Sequence, residues 1–268
     1  MNPLDVVKLT ALMELTSGRP EITVGLIDGP IIINHPSLTG ENIREVPGKL
    51  DGTYTVASSA ACMHGTFVAG ILCGRRGSLA PAICPDCTLL VRPIFSERAS
   101  GNRQTWGEPA KSLPSATPEE LAGAIIETID AGARVINLSA ALAQPSSKGE
   151  RELEKALDYA ARGGVIVVAA AGNQGTIGSS AVTGHTWVIP VVACDLQGRP
   201  INYSNLGSSI GKRGLSAPGD NITSLGANGK SLTFGETSAA APFVTGAIAL
   251  LWSEFPFLVT KMSPYYDR

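Results

Sequence analysis

The stretch Phe234–Trp252, FGETSAAAPFVTGAIALLW, constrains the fold more than any other. It reads as a polar turn running into a helix, and from Phe243 to Trp252 that helix is apolar on nearly every side. A surface helix carries one apolar stripe, whereas a helix apolar all round is buried in a large core. Ser238 falls in its first turn, just after Thr237, and is followed by Ala239, Ala240 and Ala241, which are too small to shield a hydroxyl. Unpartnered N–H groups and the helix dipole favour negative charge at that end. An alkoxide-like nucleophile would be stabilised there without reorganisation. Taken alone, Ser238 reads first as an N-cap, a role serine favours. Only a base and an orienting acid elsewhere in the chain change that reading.

What surrounds this helix follows from the other apolar runs. Ile22–Ile27 is short and nearly continuous, as a strand buried on both faces must be, and it stops at Asp28-Gly29-Pro30. Further strands are expected at Thr88–Phe95, Arg134–Ser139, Val165–Ala170, Trp187–Ala193, Pro200–Tyr203, Gly214–Ala217 and Ser231–Phe234. Helices are expected over residues 4–16, from Thr117-Pro118-Glu119-Glu120 to about Ala131, and over Lys148–Arg162. The second of these opens with a capping box and a proline at the first helical position. Residues 40–60 read as loop, and Ser96–Ser115 as a long polar connection. Strands alternating with helices imply an α/β fold with a mostly parallel sheet and helices on both faces. With 268 residues and no visible linker, one domain spanning 1–268, with its core at about 20–257, is expected.

Composition removes several function classes. A net charge of −2, from 21 basic and 23 acidic residues, gives no electrostatic case for nucleic acid or an anionic membrane. No apolar run reaches transmembrane length, and the acid-bearing start MNPLDVVKLTALMEL is unlike a secretory signal. Five cysteines, an odd count, then suggest reduced thiols in a cytoplasm. Cys84-Pro85-Asp86-Cys87 has no second CxxC to complete a zinc site, and it leads into a strand where a redox motif would open a helix. It reads as a structural loop that closes a local disulfide under oxidation. Cys62 reads as a thiol lining a site. No cofactor is expected, with a structural calcium left open.

Four residues stand at strand ends or helix starts. Asp28 ends a strand, where open α/β sheets place their sites, although an Asp in a turn has a purely structural reading too. His64 opens the small-residue stretch HGTFVAGIL, and histidine is the commonest general base. Asn173 follows the strand Val165–Ala170, and Ser238 closes the series. His35 has no convergent partner in sequence and reads as a structural loop histidine.

Asp, His and Ser in that chain order are the order of the subtilisin triad. The words VGLIDGPIIINHP, HGTFVAGIL, VINLSAAL, VVAAAGNQG and ETSAAAP each resemble the corresponding subtilisin-family segments, over roughly residues 20–255. The resemblance implies a three-layer subtilisin-like fold and a serine endopeptidase acting on a peptide. Ser238 would be the nucleophile, His64 the base and Asp28 its orienter. Asn173 would give its amide to the oxyanion together with the Ser238 N–H. Ser139, Ala140 and Ala141, with Ala169, Ala170, Ala171 and Gly172, would wall the pocket before the scissile bond, and the peptide would add as a strand along them.

Two positions depart from the family pattern. Glu236 stands where glycine is usual, and it is expected to point away from the oxyanion or to contact a basic substrate residue. Ala140-Ala141 replaces the usual Leu-Gly and is expected to crowd the substrate strand. No propeptide-like segment precedes Asp28, which suggests an intracellular branch. LIDGPIIINHPSLTG and LLVRPIFSE most resemble maturation proteases of cyanobactin-type clusters, which cut a leader from a ribosomally made precursor peptide. The macrocyclising relatives carry a helical insertion between the Asp and His segments. Only 35 residues lie between Asp28 and His64, so hydrolysis is expected over transpeptidation. A peptide-binding pseudoprotease is the alternative of another class, and the oligomeric state is not legible.

Overall fold

Strand β1, Thr23–Asp28, is buried along almost its whole length and carries neighbours on both edges. The computed structural model describes residues 2–38, 40–48, 59–95, 116–139 and 150–260. The other sheet strands are β2 (Ile43–Glu45), β3 (Thr88–Pro93), β4 (Val135–Leu138), β5 (Ile166–Ala170), β6 (Val188–Cys194) and β7 (Leu215–Pro218). They pair in the order β2-β3-β1-β4-β5-β6-β7, every pair parallel. A hairpin of β8 (Ile222–Leu225) and β9 (Ser231–Phe234) stands apart. The helices are α1 (Pro3–Val6), α2 (Leu9–Leu15), α3 (Ala60–Cys73), α4 (Pro118–Asp130), α5 (Glu150–Gly163), α6 (Ala181–Gly184), α7 (Ser208–Arg213), α8 (Thr237–Glu254) and α9 (Phe257–Thr260).

Side chains two apart on a strand share a face, so each strand feeds two cores. Val24 and Leu26 join Leu89, Val91, Val168 and Val191 under α3 and α8. Ile27 joins Leu90, Ile136, Leu138 and Val167 under α4 and α5. The result is the expected three-layer α/β arrangement. Apolar burial on both faces is why β1 and β5 carry continuous runs in sequence rather than alternation. The helix inferred from Phe243–Trp252, apolar on nearly every side, is α8, which packs across the sheet from β4 to β7 and against α3.

Several expectations needed correction. The single helix over residues 4–16 is two, α1 and α2, divided where Lys8 takes φ 56°. The stretch 40–60, read as loop, contains the edge strand β2, in which only Ile43 is buried. Pro200–Tyr203 is not a strand: it makes one isolated bridge, Cys194 to Pro200, and then turns. Strand β8 was not foreseen. The capping box before α4 is present as read, with Thr117 Oγ1 accepting from the Glu120 N–H at 3.1 Å and Glu120 Oε2 from the Thr117 N–H at 2.8 Å. The expected helix start at Lys148 and the connection Ser96–Ser115 fall outside the described residues.

Candidate active site

The chain's parallel crossovers decide where a site can form. From β1 the chain builds β2 and then β3 on one side, then crosses to β4 on the other, so the crevice opens at the carboxyl ends of β1 and β4. Asp28 is the last residue of β1 and is fully buried. Its Oδ1 accepts from the Gly29 N–H at 2.6 Å and meets His64 Nδ1 at 2.7 Å. His64 lies in the second turn of α3, and its Nε2 stands 3.0 Å from Ser238 Oγ. Three residues from three distant segments thus form one unbroken relay. Phe234 packs edge-to-face against the His64 ring, with centroids 5.8 Å apart, and fixes its plane.

Ser238 is the second residue of α8 and is 3% exposed. The N-cap is Glu236, so Ser238 is not the cap that its residue type alone suggested. Its N–H is among the first four of the helix, which lack intrahelical acceptors. Its carbonyl has a different problem. Pro242, four residues on, has no N–H to give it. Ser139 supplies the missing donor, Oγ to Ser238 O at 3.1 Å. Asn137 Nδ2 in turn donates to Ser139 Oγ at 2.7 Å, and Thr245 Oγ1 donates to Asn137 Oδ1 at 2.9 Å. This buried chain ties α8 to β4. Sequence reading missed Asn137 and Thr245; a polar Asn inside an otherwise apolar strand was the available signal.

Asn173 follows β5 after Gly172, whose φ of 104° only glycine adopts readily. Its Oδ1 accepts from the Thr237 N–H at 2.9 Å and from Thr237 Oγ1 at 2.8 Å. Oδ1 being fixed by a backbone donor, Nδ2 must face the other way, and there it donates to Glu236 Oε2 at 2.8 Å. Of the two expectations for Glu236, the first is corrected: its carboxylate does not point away but holds the amide assigned to the oxyanion, while the second, contact with a basic substrate residue, concerns a group that only a substrate brings. Burial raises the Glu236 carboxyl above the usual carboxylate range, with His64 pulling the other way. For His64, burial works to lower the pKa, but the charge and hydrogen bond of Asp28 and the charge of Glu236 outweigh it, and the net shift is upward.

Other expected site residues are placed as follows. Ser139, Ala170 and Ala171 are buried beside the relay elements. The Ala171 N–H is spent on Val191 O and the Gly172 N–H on Thr237 Oγ1, so neither can donate to an added peptide strand. Ala140 and Ala141 lie outside the described residues. His35 is buried in a turn, its Nδ1 accepting from the Ser37 N–H at 3.1 Å, and takes no part in the relay. Cys62 is fully buried against Met63 and Ala227 rather than lining the site. Cys84 and Cys87 are both buried thiols in the loop that leads into β3, in keeping with the structural-loop reading. Among the described residues, no group of three or more His, Cys, Asp or Glu is placed to hold a metal, and no helix is long and apolar enough to cross a membrane.

Known proteins are similar to this chain in fold and in sequence. A mutant of the protease domain of PatA superposes with a TM-score of 0.79 at 32% identity, over 90% of this chain and 82% of that one. The prenylagaramide maturation protease PagA gives 0.77 at 31%, over 93% and 82%. In sequence, the thermophilic serine proteinase of Bacillus sp. (strain AK1) is 30% identical over 90% of this chain and 54% of its own. Subtilisin amylosacchariticus of Bacillus subtilis subsp. amylosacchariticus is 30% identical over 93% and 60%. The chain thus spans between half and three-fifths of the length of these curated relatives. The Subtilase family model (Peptidase S8) matches residues 19–265, and it is to that family that the chain belongs.

Proposed function

We propose that the chain is a serine endopeptidase that cuts peptides through an acyl-enzyme and removes a leader from a ribosomally made precursor. The observation that carries this reading is the relay from Asp28 through both His64 nitrogens to Ser238 Oγ. Asp28 holds the Nδ1–H tautomer, which leaves Nε2 free to accept the Ser238 proton. As Oγ bonds to the peptide carbonyl carbon, that proton moves to Nε2 and the Asp28 charge stabilises the imidazolium. The carbonyl oxygen, now anionic, faces the Ser238 N–H and Asn173 Nδ2. His64 then protonates the leaving amine as the C–N bond breaks, and water repeats the sequence to release the acid. The substrate class is supported by the likeness to PatA and PagA, the latter a maturation protease by name. Five cysteines, an odd count and all buried, support a reducing compartment such as a cytoplasm.

The test pairs labelling with product analysis. A fluorophosphonate should label Ser238 in the wild type and nothing in Ser238→Ala. Mass spectrometry of a leader–core precursor peptide should show both fragments with the wild type and the intact peptide with the variant. The expected loss is on the order of 10⁶-fold, the scale of removing a triad nucleophile. Wild-type turnover by Ser238→Ala would end the reading. The bond from Asn173 to Glu236 favours one second reading, a peptide-binding protein of weak turnover. Its signature is saturable peptide binding with neither label nor fragments.

A further inference from the structure

Glu236 puts a carboxylate where the proposed chemistry develops negative charge. Its backbone is held on both sides: the N–H donates to Gly219 O at 2.8 Å and the carbonyl accepts from the Ala239 N–H at 3.1 Å. Its φ of 162° is extended backbone open to any residue, so nothing steric demands or forbids a side chain here. What the side chain meets is Asn173 Nδ2, held in place by the Thr237 contacts to Oδ1. No lysine or arginine among the described residues pairs with it. The charged and titratable groups around it are His64 on α3, which with Asp28 belongs to the relay, and Tyr203, which feels both Glu236 and Asp220. The local surplus is negative.

Two oxygens hydrogen-bonded to the same nitrogen lie within about 6 Å of each other. An oxyanion on Asn173 Nδ2 would therefore stand that close to the Glu236 carboxylate. At an effective dielectric of about 20, like charges at this distance slow a reaction on the order of a hundredfold. Partial burial limits the relief that salt can bring. A neutral peptide leaves that repulsion in place. A cationic side chain beside the scissile bond removes it, and an arginine does so with two parallel hydrogen bonds.

Resting on the endopeptidase reading, we propose that Glu236 is the specificity-determining residue of this site, selecting peptides with an arginine or lysine next to the bond that is cut. The pairing draws the carboxylate toward the substrate and returns the Asn173 amide to the oxyanion. The substrate thus completes the site only when it brings the right charge.

The experiment uses internally quenched peptides randomised at the two positions flanking the scissile bond, then matched twins with arginine or citrulline at the preferred one. Citrulline keeps the shape and loses the charge. For the wild type, kcat/KM on the arginine peptide should exceed that on its twin about tenfold or more. Glu236→Gln keeps an acceptor for Asn173 without charge, and Glu236→Gly removes the side chain. Both should bring the ratio below about threefold, chiefly by speeding the neutral twin. An unchanged ratio in folded variants overturns the proposal, as does equal slowing of both twins or the absence of any cationic preference in the wild type. Fluorophosphonate labelling runs alongside. Label and fragments without a charge effect refute the role of Glu236 alone; neither label nor fragments in any protein removes the endopeptidase reading, and this one with it.

Discussion

His64 faces opposed demands. In the proposed reaction it must be neutral to take the Ser238 proton and stable when charged afterwards. Burial favours the neutral ring; Asp28 and Glu236 favour the cation and prevail. Below the raised pKa the ring is already protonated and cannot act as base. The acid limb of kcat/KM is therefore expected above pH 6.5, with activity lost as pH falls through it. Glu236→Gln removes one of the raising causes, so its limb should move to lower pH when kcat/KM of a single peptide is followed from pH 5 to 9. A limb that stays put would mean that the Glu236 charge does not reach the ring. At this scale the meeting of Asp28, His64 and Ser238 was legible because each sits in a distinctive local word. The partner of Glu236 was not: it depends on which way Asn173 faces, and that is set by the Thr237 N–H, 64 residues away.

Elements carry a second kind of information. Helix α8 holds Ser238 at the second position but has a proline where the Ser238 carbonyl needs a donor. The helix is apolar and small-residued enough to lie across the sheet, and that burial makes an unmet carbonyl costly. Ser139 meets it, so Ser139→Ala leaves both Ser238 O and Asn137 Nδ2 without their partner. The expected cost is about 1–3 kcal/mol of stability, the range for a buried polar group left unpaired. Equilibrium denaturation in a Ser238→Ala background measures it without self-digestion, and an unchanged midpoint would show that the tether carries no weight. Legibility here followed range. The box at Thr117–Glu120 closes within four residues and was read from the chain. Strand β2 is three residues long and exists only through pairing with β3, more than forty residues on, while β8 is a four-residue arm completed by its hairpin partner β9. Pro200–Tyr203 has strand-like residues but no strand partner beyond one bridge.

At the level of the whole molecule, the relay depends on how closely α3 approaches the turn after β1. The alternation of strands and helices made the layered sheet legible, but it says nothing of that distance. The contact is made through two glycines. A Cβ on Gly65 would lie 2.5 Å from the Gly29 carbonyl oxygen and 2.6 Å from that of Pro30; a Cβ on Gly29 would strike the Ala61 carbonyl. All of these are backbone atoms, so no side chain can swing aside, and α3 itself would have to retreat. His64 precedes Gly65 and would move with it, away from the Asp28 Oδ1 that it meets at 2.7 Å. Misplacement by about 1 Å costs on the order of 10²-fold in rate. Gly65→Ala is therefore expected to fold and to lose about that factor, mainly in kcat, since the peptide pocket is untouched. Gly123→Ala is the matched control, because its Cβ meets nothing within 4 Å and alanine favours the helix interior. It should keep wild-type kcat and gain slightly in stability. Steady-state kinetics on one peptide decides the matter: equal kcat for the two variants would mean that the spacing of Asp28 and His64 is set elsewhere.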